Sequence, residues 1–190
     1  MENKKFLEIE AKYDASEIDR IEFKSLMKSM GAKSLLYIEG KDIYYVKGDN
    51  EFLRYRMPIN NGTDRRAELT FKKKSVNRNN NIREEVNLRV DLNSPELVEA
   101  FCEGLGYSRN FSIEKWADIY YFDDANIVHY YVFPESGKMA TYLEVEAAED
   151  IGLTEKEAWE VVQKYEKLLA PIGINPQKRK KLSLFEMYRK

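Results

Sequence analysis

Glu8-Ile9-Glu10-Ala11-Lys12, within the longer run Phe6-Leu7-Glu8-Ile9-Glu10-Ala11-Lys12-Tyr13, alternates polar and apolar residues with little interruption. Successive side chains of an extended chain point to opposite faces. Phe6, Glu8, Glu10 and Lys12 therefore share one face, and Leu7, Ile9, Ala11 and Tyr13 share the other. The run reads as a β-strand that carries two carboxylates and a lysine side by side.

The same alternation recurs downstream. Ile38 to Val46 reads as a strand and Glu51 to Met57 as its hairpin partner, joined through Lys47-Gly48-Asp49-Asn50. Ala67 to Lys74, Ile82 to Asp91, Ser112 to Phe122, Ile127 to Phe133 and Ala140 to Ala148 follow. About eight strands with frequent turn signals suit a barrel or a sandwich. Asn77 to Asn81 reads as a hairpin tip.

Three segments switch to helical spacing. Residues 17–30 carry Ile18, Ile21, Leu26, Met27 and Met30, with Asp14 or Ser16 as N-cap and Gly31 as the stop. Residues 95–105 open on Ser94-Pro95, a cap followed by proline at the first helical position. The third helix runs from Thr154 to about Leu169; Thr154-Glu155-Lys156-Glu157 has the capping-box form, and Pro171 and Gly173 end it. The basic run Lys178-Arg179-Lys180-Lys181 then reads as solvated surface, with phosphate or partner contact as the alternative, and Leu182, Leu184, Phe185 and Met187 follow it.

Composition bounds the rest. A chain of 190 residues, 43% hydrophobic and 34% charged, suits one folded domain spanning residues 1–190. The net charge of -2 gives no electrostatic reason for an obligate nucleic-acid partner. No apolar stretch is long enough to cross a bilayer, so the expected location is the cytoplasm, without a membrane partner. Cys102 is the single cysteine, which excludes an internal disulfide and a multi-cysteine zinc site, and its surroundings suggest packing. With His129 also alone, carboxylates remain for metal chemistry, and these favour hard ions such as Mg2+ or Mn2+.

The charged faces of the strands match one another. Leu53-Arg54-Tyr55-Arg56-Met57 sets two arginines on one face, Leu69 to Lys74 sets Lys72 and Lys74 opposite Leu69 and Phe71, and Leu143-Glu144-Val145-Glu146-Ala147 repeats the first carboxylate pair. If the apolar faces pack outward against helices, the charged faces line an interior that holds water, ions and ligand. Glu8, Glu10, Glu85, Glu144 and Glu146 would then meet Lys12, Arg54, Arg56, Lys72, Arg83 and Lys115. Dry, such an interior would cost several kcal/mol per unpaired charge; with a polyanion and cations bound it becomes complementary. Arginine forks suit phosphate oxygens, lysines act as point charges, and carboxylates hold a metal that bridges phosphates and activates water. The plainer alternative is an ordinary amphipathic sheet with cross-strand ion pairs in solvent.

This ordered set resembles the CYTH superfamily of triphosphate tunnel metalloenzymes, which includes class IV adenylyl cyclases, thiamine triphosphatases and inorganic triphosphatases. Glu8-x-Glu10-x-Lys12 carries the resemblance with Asp42-x-Tyr44, Leu53-Arg54-x-Arg56, Leu69-Thr70-Phe71-Lys72, Arg83-x-Glu85, Lys115 and Leu143-Glu144-Val145-Glu146, from Phe6 to about Ala147. The resemblance implies a mainly β, α+β fold: an eight-stranded antiparallel β-barrel tunnel with helices packed outside. It implies a divalent-metal-dependent phosphohydrolase acting on inorganic triphosphate, a nucleoside triphosphate or thiamine triphosphate. A cyclase making cyclic AMP from ATP, or a module that binds a triphosphate without turnover, are the alternatives.

By the same resemblance Glu8, Glu10, Glu144 and Glu146 hold the metal, and Lys12, Arg54, Arg56, Lys72, Lys74, Arg83 and Lys115 grip phosphate. Glu8, Glu10, Lys12 and Glu85 carry the chemistry. The partner is a small-molecule triphosphate, and a homodimer is left open. Two positions depart from the family pattern. Ala117 stands where a second basic residue is common, and Tyr131 aligns with a common aspartate, for which Asp118, His129 or Glu135 could stand in. These departures bear on turnover and on substrate choice.

Overall fold

The computed structural model describes residues 7–48, 51–59, 67–73, 82–90, 95–148 and 153–190. The described chain is a mainly antiparallel sheet with helices laid on it. In chain order the elements are β1 (Leu7–Asp14), α1 (Arg20–Ser29), β2 (Ser34–Lys47), β3 (Glu51–Pro58), β4 (Ala67–Lys73), β5 (Ile82–Val90) and α2 (Pro95–Gly104). There follow β6 (Ser108–Tyr121), β7 (Ala125–Pro134), β8 (Ala140–Ala147), α3 (Glu155–Leu169), β9 (Arg179–Lys180) and α4 (Leu184–Tyr188).

Nine strands lie in the order β5-β4-β3-β2-β6-β7-β8-β1-β9. The flanks meet through a short ladder in which Leu7, Glu8 and Ile9 of β1 pair with Glu84, Arg83 and Ile82 of β5. The expected eight-stranded barrel is thus met as a nine-stranded antiparallel sheet whose two flanks touch over three residue pairs. Beyond Ile9, β1 leaves β5 and pairs with β8 and β9. The longest pairing joins β2 and β6, each 14 residues long, so both strands outrun the apolar stretches that mark them in sequence.

Three apolar clusters cover this sheet, each with at least one helix. Ala158, Val162, Tyr165 and Leu169 of α3 pack on Ile9, Ala11 and Tyr13 of β1 and on Leu143 and Val145 of β8, in a cluster that also takes in Phe23 and Met27 of α1. Val98 and Cys102 of α2 pack on Tyr45, Leu53, Tyr55 and Leu69. Cys102 is buried there as a packing residue, and burial pushes its thiol up to about 11. Tyr44, Phe52, Phe111 and Tyr142 form a third cluster, on the opposite face, with Leu184 and Phe185 of α4.

The helix ends follow local chemistry with one correction. Thr154 and Glu157 form the expected capping box of α3. The N-cap of α1 is Asp19, not Asp14 or Ser16; its carboxylate accepts from the backbone N–H groups of Ile21 and Glu22, each at 2.9 Å. Asp14 is already committed, accepting from Ser16 N at 3.1 Å and Ser16 Oγ at 2.7 Å, so the chain turns once before the helix starts. That delay rotates the buried face onto Phe23 and Met27 and leaves Ile21 77% exposed. Gly31, with φ 88°, terminates the helix as expected. Ser94 lies outside the described residues.

The tail departs most from its sequence reading. Lys178 pairs with Glu17 at 2.8 Å, Lys180 with Asp14 at 2.9 Å, and Arg179 donates two bonds to Glu166 at 2.7 and 2.6 Å. Most of the basic run is therefore an anchor. It clamps the C-terminal segment to β1 and α3 and delivers α4 to the sheet.

Candidate functional site: a charged face with a cavity

Register decides which side chains meet. Lys12 stands opposite Glu144 and Glu10 opposite Glu146; Arg54 stands opposite Thr70, and Lys72 opposite Glu85. Paired residues project to the same side of a sheet, so β1, β3, β4, β5 and β8 present these charges to one face. β6 adds Lys115 and Ala117, paired with Val132 and Tyr130 of β7.

The charges are buried and interlocked. Lys12 Nζ lies 3.1 Å from Glu144 Oε1 and 3.7 Å from Glu10 Oε1. Lys115 Nζ lies 4.0 Å from Glu144 Oε2 and sits over the Tyr130 ring, 3.7 Å from its centroid, while the Tyr130 hydroxyl donates to Glu144 at 2.7 Å. Burial alone would push the Glu144 carboxyl up; Lys12, Lys115 and the Tyr130 hydroxyl outweigh it and hold the group down at about 2. For Lys115 burial dominates. With Arg56 and Arg54 adding to it and Glu144 and Asp42 opposing, the ammonium is pushed down to about 8.

The arginines are held for use. Arg56 donates from Nε and Nη2 to the two oxygens of Asp42, both at 2.7 Å. Asp42 is fully buried; burial raises its carboxyl, but Arg56 holds it at about 2. Arg54 Nη2 donates to Thr70 Oγ1 at 3.0 Å and Glu68 at 3.3 Å, and lies 3.9 Å from Glu85. Its Nε is buried with no hydrogen-bond partner. Lys72 pairs with Glu85.

A cavity of about 420 Å³, its mouth included, opens on this face. Lys12, Arg54, Arg56, Lys72 and Lys115 line it with Glu10 and Glu144, and Tyr44, Phe52, Ser183, Leu184 and Phe185 complete the lining. Of the residues expected in a phosphate and metal site, Glu10, Lys12, Arg54, Arg56, Lys72, Lys115 and Glu144 meet at this cavity. Glu85 reaches it through Lys72, and Glu146 projects beside Glu10. The side chains of Glu8 and Arg83, and the whole of Lys74, lie outside the described residues.

Two expectations are corrected. Tyr131 pairs with Trp116, and His129 with Asp118, in the row that alternates with Lys115 and Ala117, so both lie on the opposite face of the sheet. The β7 residues on the charged face are Val128, Tyr130 and Val132, one step out of phase with the sequence alignment. The stand-ins fail with it. Asp118 is engaged by Arg20 at 2.6 and 3.0 Å, and Glu135 accepts from Ser112 at 2.6 Å and Arg109 at 3.1 Å. His129 is fully buried, each ring centroid of Phe23 and Tyr131 lying 5.3 Å from its own, and neither ring nitrogen has a hydrogen-bond partner.

Sequence reasoning gave no role to Asp42, Tyr130 or Phe185. Asp42 was legible as a charge opposite Arg56 once β2 and β3 were paired. Nothing local marks Phe185, which arrives from a segment distant in sequence.

Sheet order and charged face fit the fold that the resemblance to the CYTH superfamily implies. Solved structures bear this likeness out. PH1012 protein from Pyrococcus horikoshii OT3 superposes with a TM-score of 0.74 at 19% identity, over 96% of this chain and 99% of that one. A proposed adenylate cyclase from Vibrio parahaemolyticus gives 0.67 at 14% identity, over 97% and 98%. HpAC1 from Hippeastrum, a proposed adenylyl cyclase described as having a dominant triphosphatase activity, gives 0.58 at 14% identity, over 88% of each chain. No family model and no curated protein matches the sequence. Among the described residues, no helix is long and apolar enough to cross a membrane.

Proposed function

We propose that the charged face lines a tunnel holding a triphosphate chain with a divalent cation, and that the protein is a metal-dependent phosphohydrolase of that chain. One observation carries this reading. Cationic side chains from β1, β3, β4 and β6 converge on a single cavity, where Arg54 Nε is buried without a partner and Lys115 is pushed down to about 8. A structural ion-pair network would satisfy that donor. A phosphate oxygen accepts from Arg54, and its charge restores the proton on Lys115.

The carboxylates suit Mg2+ or Mn2+ in the way such ions commonly bind, through one or two carboxylates completed by substrate phosphates and water. Among the described residues no three metal-binding side chains converge. Glu10 and Glu144 do share Lys12, and Glu146 stands beside Glu10. These three, with Glu8, would hold the ion. When bound, it would supply charge neutralisation on the phosphoryl oxygens and a lowered pKa for water.

The chain's own residues do the rest. Asp42 fixes the Arg56 fork before ligand arrives, which lowers the entropy lost on binding. Thr70 and Glu68 steer Arg54, and Glu85 holds Lys72 against the cavity. Lys12 and Lys115 supply point charges against the developing phosphoryl charge. No side-chain nucleophile is needed, since water attacks phosphorus.

A phosphate-release assay over inorganic triphosphate, ATP and thiamine triphosphate, with Mg2+ or Mn2+, tests the assignment. Turnover with at least one substrate, lost in Glu10→Gln, is expected. No turnover, or a rate that Glu10→Gln leaves unchanged, overturns it. Cyclic AMP and pyrophosphate from ATP would assign the cyclase reading instead. Ala117, buried on the charged face without a basic group, favours a second reading: tight binding of a triphosphate without consumption, which calorimetry separates from turnover.

A further inference from the structure

Two buried charges of the cavity lean on one neutral side chain. Tyr130, fully buried in the middle of β7, stands opposite Ala117 of β6 on one side and Tyr142 of β8 on the other. Its hydroxyl donates to Glu144 Oε1 at 2.7 Å, and the Lys115 ammonium sits over its ring, 3.7 Å from the centroid. The Tyr142 ring packs against it, with centroids 5.7 Å apart and planes tilted by 43°.

These contacts divide the two oxygens of Glu144. Oε1 accepts from the Tyr130 hydroxyl and lies 3.1 Å from Lys12 Nζ. Among the described residues Oε2 accepts no hydrogen bond, Lys115 Nζ lying 4.0 Å away. Ala117 makes the arrangement possible. Its methyl, buried opposite Tyr130, leaves the ring room beneath Lys115; a long basic side chain there would compete for both the ring and the carboxylate.

We infer that Tyr130 is a positioning residue that joins the metal and phosphate halves of the site: its hydroxyl holds Glu144 so that Oε2 is offered to a divalent cation, and its ring holds Lys115 for the phosphate chain. This rests on the triphosphate reading above. Tyr130 itself contacts neither ligand. A carboxylate whose first oxygen is fixed by a phenol presents the second as a single oriented donor, and hydrogen-bond partners of this kind set much of a site's metal affinity. The ring attracts the ammonium without neutralising it. A carboxylate in its place would pair with Lys115 and cancel the charge that phosphate needs.

Two variants separate the two roles. Tyr130→Phe keeps the ring and loses the hydroxyl, whereas Tyr130→Leu loses both. Calorimetry of the intact protein with inorganic triphosphate, once with Mn2+ and once with EDTA, reads them apart. The wild type is expected to bind more tightly with Mn2+. Tyr130→Phe should lose about tenfold with Mn2+ and nothing in EDTA, which also shows that the variant is folded. Tyr130→Leu should lose about a further fivefold in both conditions. Wild-type affinity of Tyr130→Phe with Mn2+, an equal loss in both conditions, or a Tyr130→Leu no weaker than Tyr130→Phe overturns the inference. So does a wild type that Mn2+ does not help. If the wild type binds triphosphate in neither condition, the triphosphate reading itself falls and takes the inference with it.

Discussion

Replacing Lys12 with methionine removes the charge that holds two buried carboxylates in place while keeping most of the side-chain volume. Lys12 Nζ is 3.1 Å from Glu144 and 3.7 Å from Glu10, and the residue is 2% exposed. At an effective dielectric of about 20 each contact is worth roughly 5 kcal/mol of Coulomb attraction before desolvation is subtracted. Breaking a buried pair by removing one partner costs about 3–5 kcal/mol net, a large part of the roughly 5–15 kcal/mol that stabilises a domain.

The pH dependence gives that loss a signature. Glu144 sits at about 2, below its ordinary 4.5, so its contribution is fully present above pH 4.5 and fades as pH falls toward 2. Without Lys12, burial pushes the carboxyl up, and protonation relieves the unpaired charge. The penalty of Lys12→Met is therefore expected to be greatest near pH 7.5 and to shrink at pH 5. Urea denaturation at both pH values measures it, and Lys12→Met/Glu144→Gln should recover about half of the loss. A cost below about 1 kcal/mol at pH 7.5, or one equal at both pH values, would refute the account of Lys12 as the internal counter-ion.

Two further outcomes follow from the buried bases. Lys115 titrates at about 8, so triphosphate affinity should fall about tenfold between pH 7 and 9 as its proton is lost; Lys115→Arg, whose charge persists, should flatten that slope beyond the ligand's own titration, and an unchanged slope would exclude Lys115 from the contact. His129 is pushed from 6.5 down to about 4, chiefly by burial, with Arg20 adding and Asp118 opposing. Its folded-state pKa is depressed, so the neutral ring's contribution is present above pH 6.5 and is lost as pH falls toward 4, by about 3 kcal/mol. Denaturation of wild type and His129→Leu across that range should show the wild type losing more; parallel curves would place the imidazole elsewhere.

Much of the site was legible because a strand's side-chain period is two. Glu8-x-Glu10-x-Lys12, Arg54-x-Arg56 and Glu144-x-Glu146 declare one charged face each, and pairing aligns them. The Thr154–Glu157 capping box was legible for the same reason: its partners are three residues apart. Register across the Pro134 to Met139 loop was not. A slip of one residue exchanges the faces, which set Tyr131 where Tyr130 belongs. The α1 cap was misplaced because Asp14, Ser16 and Asp19 are all competent caps, and a local turn that uses Asp14 chose among them.

By itself the sequence determined the alternating strands, the grouping of charges on one face and the resemblance that names a triphosphate and a hard metal ion. Only the tertiary structure decided that Lys12 lies between Glu10 and Glu144, that Asp42 holds Arg56, and that α4 brings Phe185 to the cavity. The difference is one of range. Periodicity and caps act within a few residues, whereas a buried charge gains its partner, and a cavity its wall, from segments that meet only when the whole sheet is assembled.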